Sequence, residues 1–126
     1  MVETSSFRRA KEDPRCVAIS ARVPKDYKGR RCKKLAPPYW MVQKSKSGEM
    51  TDEEFELQFK DCVLEKLDAD KILEEIGEDA ILLCWEKPGE FCHRTLVGEW
   101  LSRELGIEVN EARIAQRHRR MRNGNK

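Results

Sequence analysis

The chain has 126 residues, of which 39% are hydrophobic and 38% charged, and its 25 Lys+Arg against 23 Asp+Glu leave a net charge of +2. That length suits one compact domain able to bury an apolar core without a metal or disulfide to hold it together. The near balance of signs excludes global charge as a reason to expect nucleic acid or a membrane, so electrostatic arguments must rest on local clusters.

Residues 1–15 are polar and charged and run into Asp13-Pro14, which reads as an N-terminal arm without the apolar h-region of a signal peptide. Cys16-Val17-Ala18-Ile19-Ser20 is short, apolar and β-prone, and predicts the first buried strand. The stretch from Arg22 to Lys46 carries Pro24, Gly29, Pro37 and Pro38 and is expected to be largely loop, tied back by Leu35, Tyr39, Trp40 and Met41. Thr51-Asp52-Glu53-Glu54 is a capping-box sequence. Behind it Phe55, Phe59, Cys62, Val63 and Leu67 share one helical face. Asp68 to Ile76 predicts a short helix closed by Gly77.

Asp79 to Glu86 is a continuous apolar run ending in an acid, too short for a buried helix, and predicts a central strand. A turn over Lys87 to Phe91 leads to a helix from Cys92 to about Leu105, stopped by Gly106. Ile107-Glu108-Val109 is expected as a third strand. The pattern is that of an α/β fold, a small, open, mainly parallel sheet with flanking helices, Rossmann-like in type. The division expected is an arm over 1–15, one α/β domain over 16–112 and a basic tail over 113–126. Ligands of such sheets sit beyond the carboxyl ends of the strands. Here those ends are Ser20 to Arg22 and Cys84 to Glu86.

The reactive residue types gather at the same end. Cys92 at a helix start faces amides without intrahelical partners, and Arg94 and His93 stand beside it, an environment that favours thiolate. Cys92 is thus the candidate nucleophile or redox thiol, His93 the acid/base and Glu86 the group that orients it. Arg94, with Ser20, Arg22 and Cys84, makes a candidate anion pocket. Each has a plainer reading: a half-buried cysteine, a surface histidine, an arginine paired with Glu86, and Cys84, Cys62, Trp85 and Trp100 as core residues. The C-x7-C-H spacing of Cys84, Cys92 and His93 is not that of structural zinc, so no metal ligands and no cofactor are assigned, although a Cys/His metal-binding domain stays an alternative.

The segment Ile81 to Leu101, with Leu83-Cys84-Trp85-Glu86 followed by Cys92-His93-Arg94 opening a helix, resembles domain-of-unknown-function family 488. Further similarity lies in Ala18-Ile19-Ser20, Val23-Pro24 and Leu35-Ala36-Pro37, so the resemblance covers roughly residues 16–109. It implies a site at Cys84, Glu86, Cys92, His93 and Arg94 with Ser20 as companion, and implies no particular reaction.

Two basic clusters complete the inventory. Lys25, Lys28, Arg30, Arg31, Lys33 and Lys34 lie in the long loop near Tyr27, Tyr39 and Trp40. Arg113, Arg117, Arg119 and Arg120 lie in the tail, with Arg113, Arg117 and Arg120 on one face if it is helical. Such clusters suit phosphate contacts and base stacking, and are equally the composition of a solvated surface. The functional expectation is an enzyme-like domain that binds a phosphate-bearing substrate, nucleotide or nucleic acid, at the Cys-His-Arg helix start. The alternative is a non-catalytic nucleic-acid-binding module. Five cysteines (Cys16, Cys32, Cys62, Cys84, Cys92) without short paired spacings do not form a secreted disulfide framework, and no apolar run reaches the ~18–20 residues of a membrane span, so a cytoplasmic, membrane-free protein is expected.

Overall fold

A computed structural model of the chain describes residues 1–85 and 92–111. Five parallel strands form one sheet: β1 (Glu3–Ser6), β2 (Cys16–Ala18), β3 (Arg30–Arg31), β4 (Ile81–Cys84) and β5 (Asn110–Glu111), in the spatial order β3-β2-β4-β1-β5. The helices are α1 (Phe7–Ala10), α2 (Tyr39–Ser47), α3 (Asp52–Cys62), α4 (Ala69–Ile76) and α5 (His93–Leu105). Parallel strands need crossover connections, and helices supply all of them except the one from β2 to β3, which is a loop.

β4 lies at the centre, paired with β2 on one side and β1 on the other. Its four residues are all buried, which is why it reads in the sequence as an unbroken apolar run rather than an alternating one. The strand period of two nevertheless sorts the side chains. Ile81 and Leu83, with Cys16 and Ala18, meet Phe7 and Ala10 of α1 on one face. Leu82, with Val17 and Ile19, faces the larger core made by α2 to α5, where Phe59, Ile72, Ile76, Val97 and Leu101 pack.

The helix boundaries follow from local chemistry. Thr51 caps α3 in a complete capping box with Glu54, and Asp68 caps α4 through the amides of Asp70 and Lys71. Gly106 ends α5 in the left-handed conformation at φ 66°, a region that costs glycine little. Gly98 has a different role: a Cβ there would stand 3.1 Å from Val109 Cγ1 and 3.6 Å from Thr4 Cγ2, so its absence lets α5 settle against β1 and the chain leading to β5.

Three expectations change. Residues 1–15 are not a loose arm: Glu3–Ser6 is an inner strand, and Thr4, Ser5 and Ser6 are buried although polar. Pairing on both sides with β4 and β5 satisfies its backbone, so strand formation here needs no apolar sequence. Cys16–Ala18 is therefore the second strand. The stretch after Arg22 is less of a loop than its prolines suggest, holding the charged edge strand β3, a 3-10 turn at Lys33–Leu35 and the whole of α2. The last strand is displaced from Ile107-Val109 to Asn110–Glu111, while Ile107 and Val109 pack against the core. The tail arginines Arg113, Arg117, Arg119 and Arg120 lie outside the described residues. Among the described residues, no helix is long and apolar enough to cross a membrane.

Because β1 is internal, a chain starting at Asp13 should lose its cooperative thermal transition by far-ultraviolet circular dichroism. A melt matching that of the full chain would restore the arm.

Candidate functional site

β4 ends at Cys84, and α5 begins at His93 with Cys92 as its extended N-cap (φ −152°, ψ 144°). The helix start thus comes back to the end of the central strand, and the sulfurs of Cys84 and Cys92 are bonded as a disulfide. A single pair of this kind is not a disulfide framework, and Cys16, Cys32 and Cys62 are free. Burial and the nearby Glu75 carboxylate push the Cys32 thiol up to about 11, so that cysteine is a packing residue.

His93 is buried at 7% exposure and is not the surface histidine of the plainer reading. Its Nε2 lies 2.6 Å from the carbonyl oxygen of Ile19, just past the end of β2. A carbonyl only accepts, so Nε2 carries the proton and the Nδ1 lone pair points away from it, 3.9 Å from Cys92 Sγ. The ring edge packs on Phe59, with centroids 5.6 Å apart. Burial lowers the His93 pKa to about 4; the Ile19 contact opposes this shift and the charge of Arg94 adds to it. His93 is neutral at pH 7.

Arg94 is buried at 2% exposure and does not open onto solvent. Nε donates to Glu111 Oε1 at 2.8 Å, Nη2 to Oε2 at 3.4 Å, and Nη1 to Cys84 Sγ at 3.0 Å. Thr4, the sheet partner of Glu111, donates its hydroxyl to the same Oε1 at 2.6 Å. Among the described residues the Arg94 guanidinium is thus held by Glu111 and by the Cys84 sulfur. A charge so buried needs such partners, and the last strand provides one. Sequence reasoning missed Glu111, and a carboxylate 17 residues downstream of Arg94 carries no local signal.

A cleft of about 530 Å³ opens at the carboxyl ends of β2 and β4. It is lined by Cys84, Cys92 and His93, by Ser20, Ala21, Arg22 and Trp85, and by Tyr39 and Lys46 of α2. Ser20 donates its hydroxyl to the Arg22 carbonyl at 2.6 Å and so shapes the loop rather than standing free. The indole N–H of Trp85 donates to the same carbonyl at 3.0 Å, its ring edge-on to Phe7, and half of the side chain stays exposed. The guanidinium of Arg22 lies 5.9 Å from the centroid of the Tyr39 ring. Of the residues expected at the site, Cys84, Cys92, His93, Ser20 and Arg22 meet at this cleft. Glu86 lies outside the described residues.

Over residues 3–105 the sequence matches the family model described as "Active DUF488-N3 subclade". The chain belongs to the DUF488 family. No curated protein and no solved structure matches it. The matched span contains all of the DUF488 Cys-His-Arg segment and, unlike the similarity expected from residue 16 onward, includes β1.

The buried neutral histidine has a consequence for stability. A folded pKa of about 4 lies below the 6.5 of an exposed histidine, so the unfolded chain binds the proton first as pH falls. The contribution is complete above pH ~6.5 and is lost between there and pH ~4, amounting to about 3 kcal/mol if the shift is taken whole. Urea denaturation across that range should show the loss in the wild type and a flatter profile in His93→Gln. Glu111→Gln should cost on the order of 2 kcal/mol at pH 7 by weakening the charged hydrogen bonds to Arg94, measured the same way.

Proposed function

We propose that the protein is an enzyme that takes a phosphate-bearing substrate, a nucleotide or the end of a nucleic acid, into the cleft with the reacting atom over Cys92 and His93. The observation that carries this reading is the make-up of the cleft. Its lining includes a sulfur beside an imidazole lone pair, two cations, Arg22 and Lys46, and two exposed rings, Tyr39 and Trp85. Cations suit phosphate oxygens, and aromatic faces suit a base. The position beyond the carboxyl ends of parallel strands is where ligands of open α/β sheets bind. The word "active" in the description of the matching family agrees with a working site.

The working form is the reduced one, since a sulfur in a disulfide cannot attack. His93 Nδ1 accepts the Cys92 thiol proton only as the sulfur bonds to an electrophilic carbon or phosphorus of the substrate, so that no free imidazolium stands in the buried site beforehand. The bond to the leaving group breaks as His93 returns the proton to it. The Ile19 carbonyl fixes the imidazole from its Nε2 side. Arg94 acts from behind, its Nη1 hydrogen-bonded to Cys84 Sγ, and the anion contacts pass to Arg22 and Lys46.

Isothermal titration of the reduced protein with ATP, and separately with a short single-stranded oligonucleotide, tests the reading. Arg22→Ala or Lys46→Ala should weaken binding about tenfold, or roughly 1.4 kcal/mol. The bound ligand should slow iodoacetamide labelling of Cys92, mapped by mass spectrometry. If neither ligand binds, or if binding leaves both the Arg22 variant and the Cys92 labelling rate unaffected, the proposal is wrong.

A further inference from the structure

We infer that Cys84, Cys92 and His93, with both cysteines reduced, form a three-ligand site for a thiophilic divalent cation of the zinc type, with a fourth position facing the cleft. This describes a second state of the same side chains, in which a metal takes the Cys92 sulfur and His93 Nδ1 in place of the nucleophile and base roles above, and it needs no nucleotide. The two sulfurs and a ring nitrogen of His93 all lie within 4.8 Å of one another, and all three residues are buried. Two thiolates and an imidazole are the donors zinc prefers.

Neighbouring ligands at 92 and 93 look awkward in sequence, but the structure removes the difficulty. Cys92 is the extended N-cap and His93 the first helical residue, so the backbone turns between them and both side chains reach the end of β4. The surroundings are those of a prepared ligand set. His93 donates Nε2–H to the Ile19 carbonyl at 2.6 Å, which fixes the tautomer and presents Nδ1 toward the sulfurs. A metal-bound imidazole characteristically gives its other N–H to such an acceptor. Arg94 Nη1, 3.0 Å from Cys84 Sγ, supplies an N–H to a ligand sulfur.

The charges also close. Two thiolates neutralise a dication, while Arg94 and Glu111 neutralise each other, so no net charge is left buried. Binding is an exchange without redox change: each thiol gives its proton to solvent, two metal–sulfur bonds form, and two protons are released per ion. The disulfide and the metal-bound pair are alternative states of the same sulfurs. All three ligands line the cleft, so the remaining position is available to water or to an oxygen of a bound ligand.

Cobalt(II) serves as the probe, added to full-length protein that has been reduced and desalted under nitrogen. A thiolate-to-cobalt charge-transfer band should grow to one equivalent together with the intense visible bands of a tetrahedral ion, and zinc should displace them. Cys84→Ser and Cys92→Ser should each lose the charge-transfer intensity of one sulfur, whereas Cys32→Ser and Cys62→Ser should match the wild type. His93→Gln should weaken affinity by more than the roughly 10–100-fold that loss of a second-shell contact costs. Should a variant fail to fold, zinc protection of the wild-type cysteines from iodoacetamide gives the same answer, with Cys84 and Cys92 protected and Cys62 not. A reduced wild type without the charge-transfer band, or protection that spares Cys84 and Cys92, overturns the inference. ATP binding, measured without metal, stands or falls separately.

Discussion

The parallel hydrogen bonding of β4 between β1 and β2 is the constraint on which the rest of the molecule depends. Four buried residues, Ile81 to Cys84, have their backbone groups paired on both sides, and their side chains divide between the two cores. A strand so held cannot slide by one residue without exchanging its faces, which would push Leu82 out of the larger core. Its end is therefore fixed, and that end is Cys84. The Cys84 sulfur inherits its position from the most constrained segment of the sheet.

The same constraint organises the residues that follow. β2 ends beside β4, so the carbonyl of Ile19 is available to orient His93. β1 lies on the other side of β4 and carries β5, whose Glu111 holds Arg94 against Cys84. Each member of the Cys-His-Arg segment is thus anchored by a different strand: Cys92 by the bond to β4, His93 by the end of β2, Arg94 by β5. This arrangement separates two tasks that a helix start can combine. The buried arginine attends to the sulfur, while the cations that face the cleft, Arg22 and Lys46, come from a loop and from α2.

Much of the fold was legible because the signals were local. The apolar run at Ile81, the Thr51–Glu54 capping box and the Gly106 stop each predict their element from chemistry within a few residues, and each element is present. β1 was not legible, because Thr4, Ser5 and Ser6 carry no apolar pattern; their burial follows from strands that pair with them from residues 81 and 110 onward. The last strand was misplaced for a related reason. Ile107 and Val109 are apolar because they pack on the core, whereas the ladder forms at the more polar Asn110 and Glu111.

By itself the sequence determined that the chain forms an α/β sheet and that its Cys-His-Arg segment opens the helix that follows the strand ending at Cys84. Residue types, periodicity and caps are sufficient for that, since they act over a turn or a strand. Only the tertiary structure decided what each side chain does there. It turned His93 inward onto a backbone carbonyl, joined Cys92 to Cys84 and withdrew Arg94 from solvent onto Glu111. Those contacts bridge 74, 8 and 17 residues, and they exist because a buried polar group must find a partner wherever the fold supplies one.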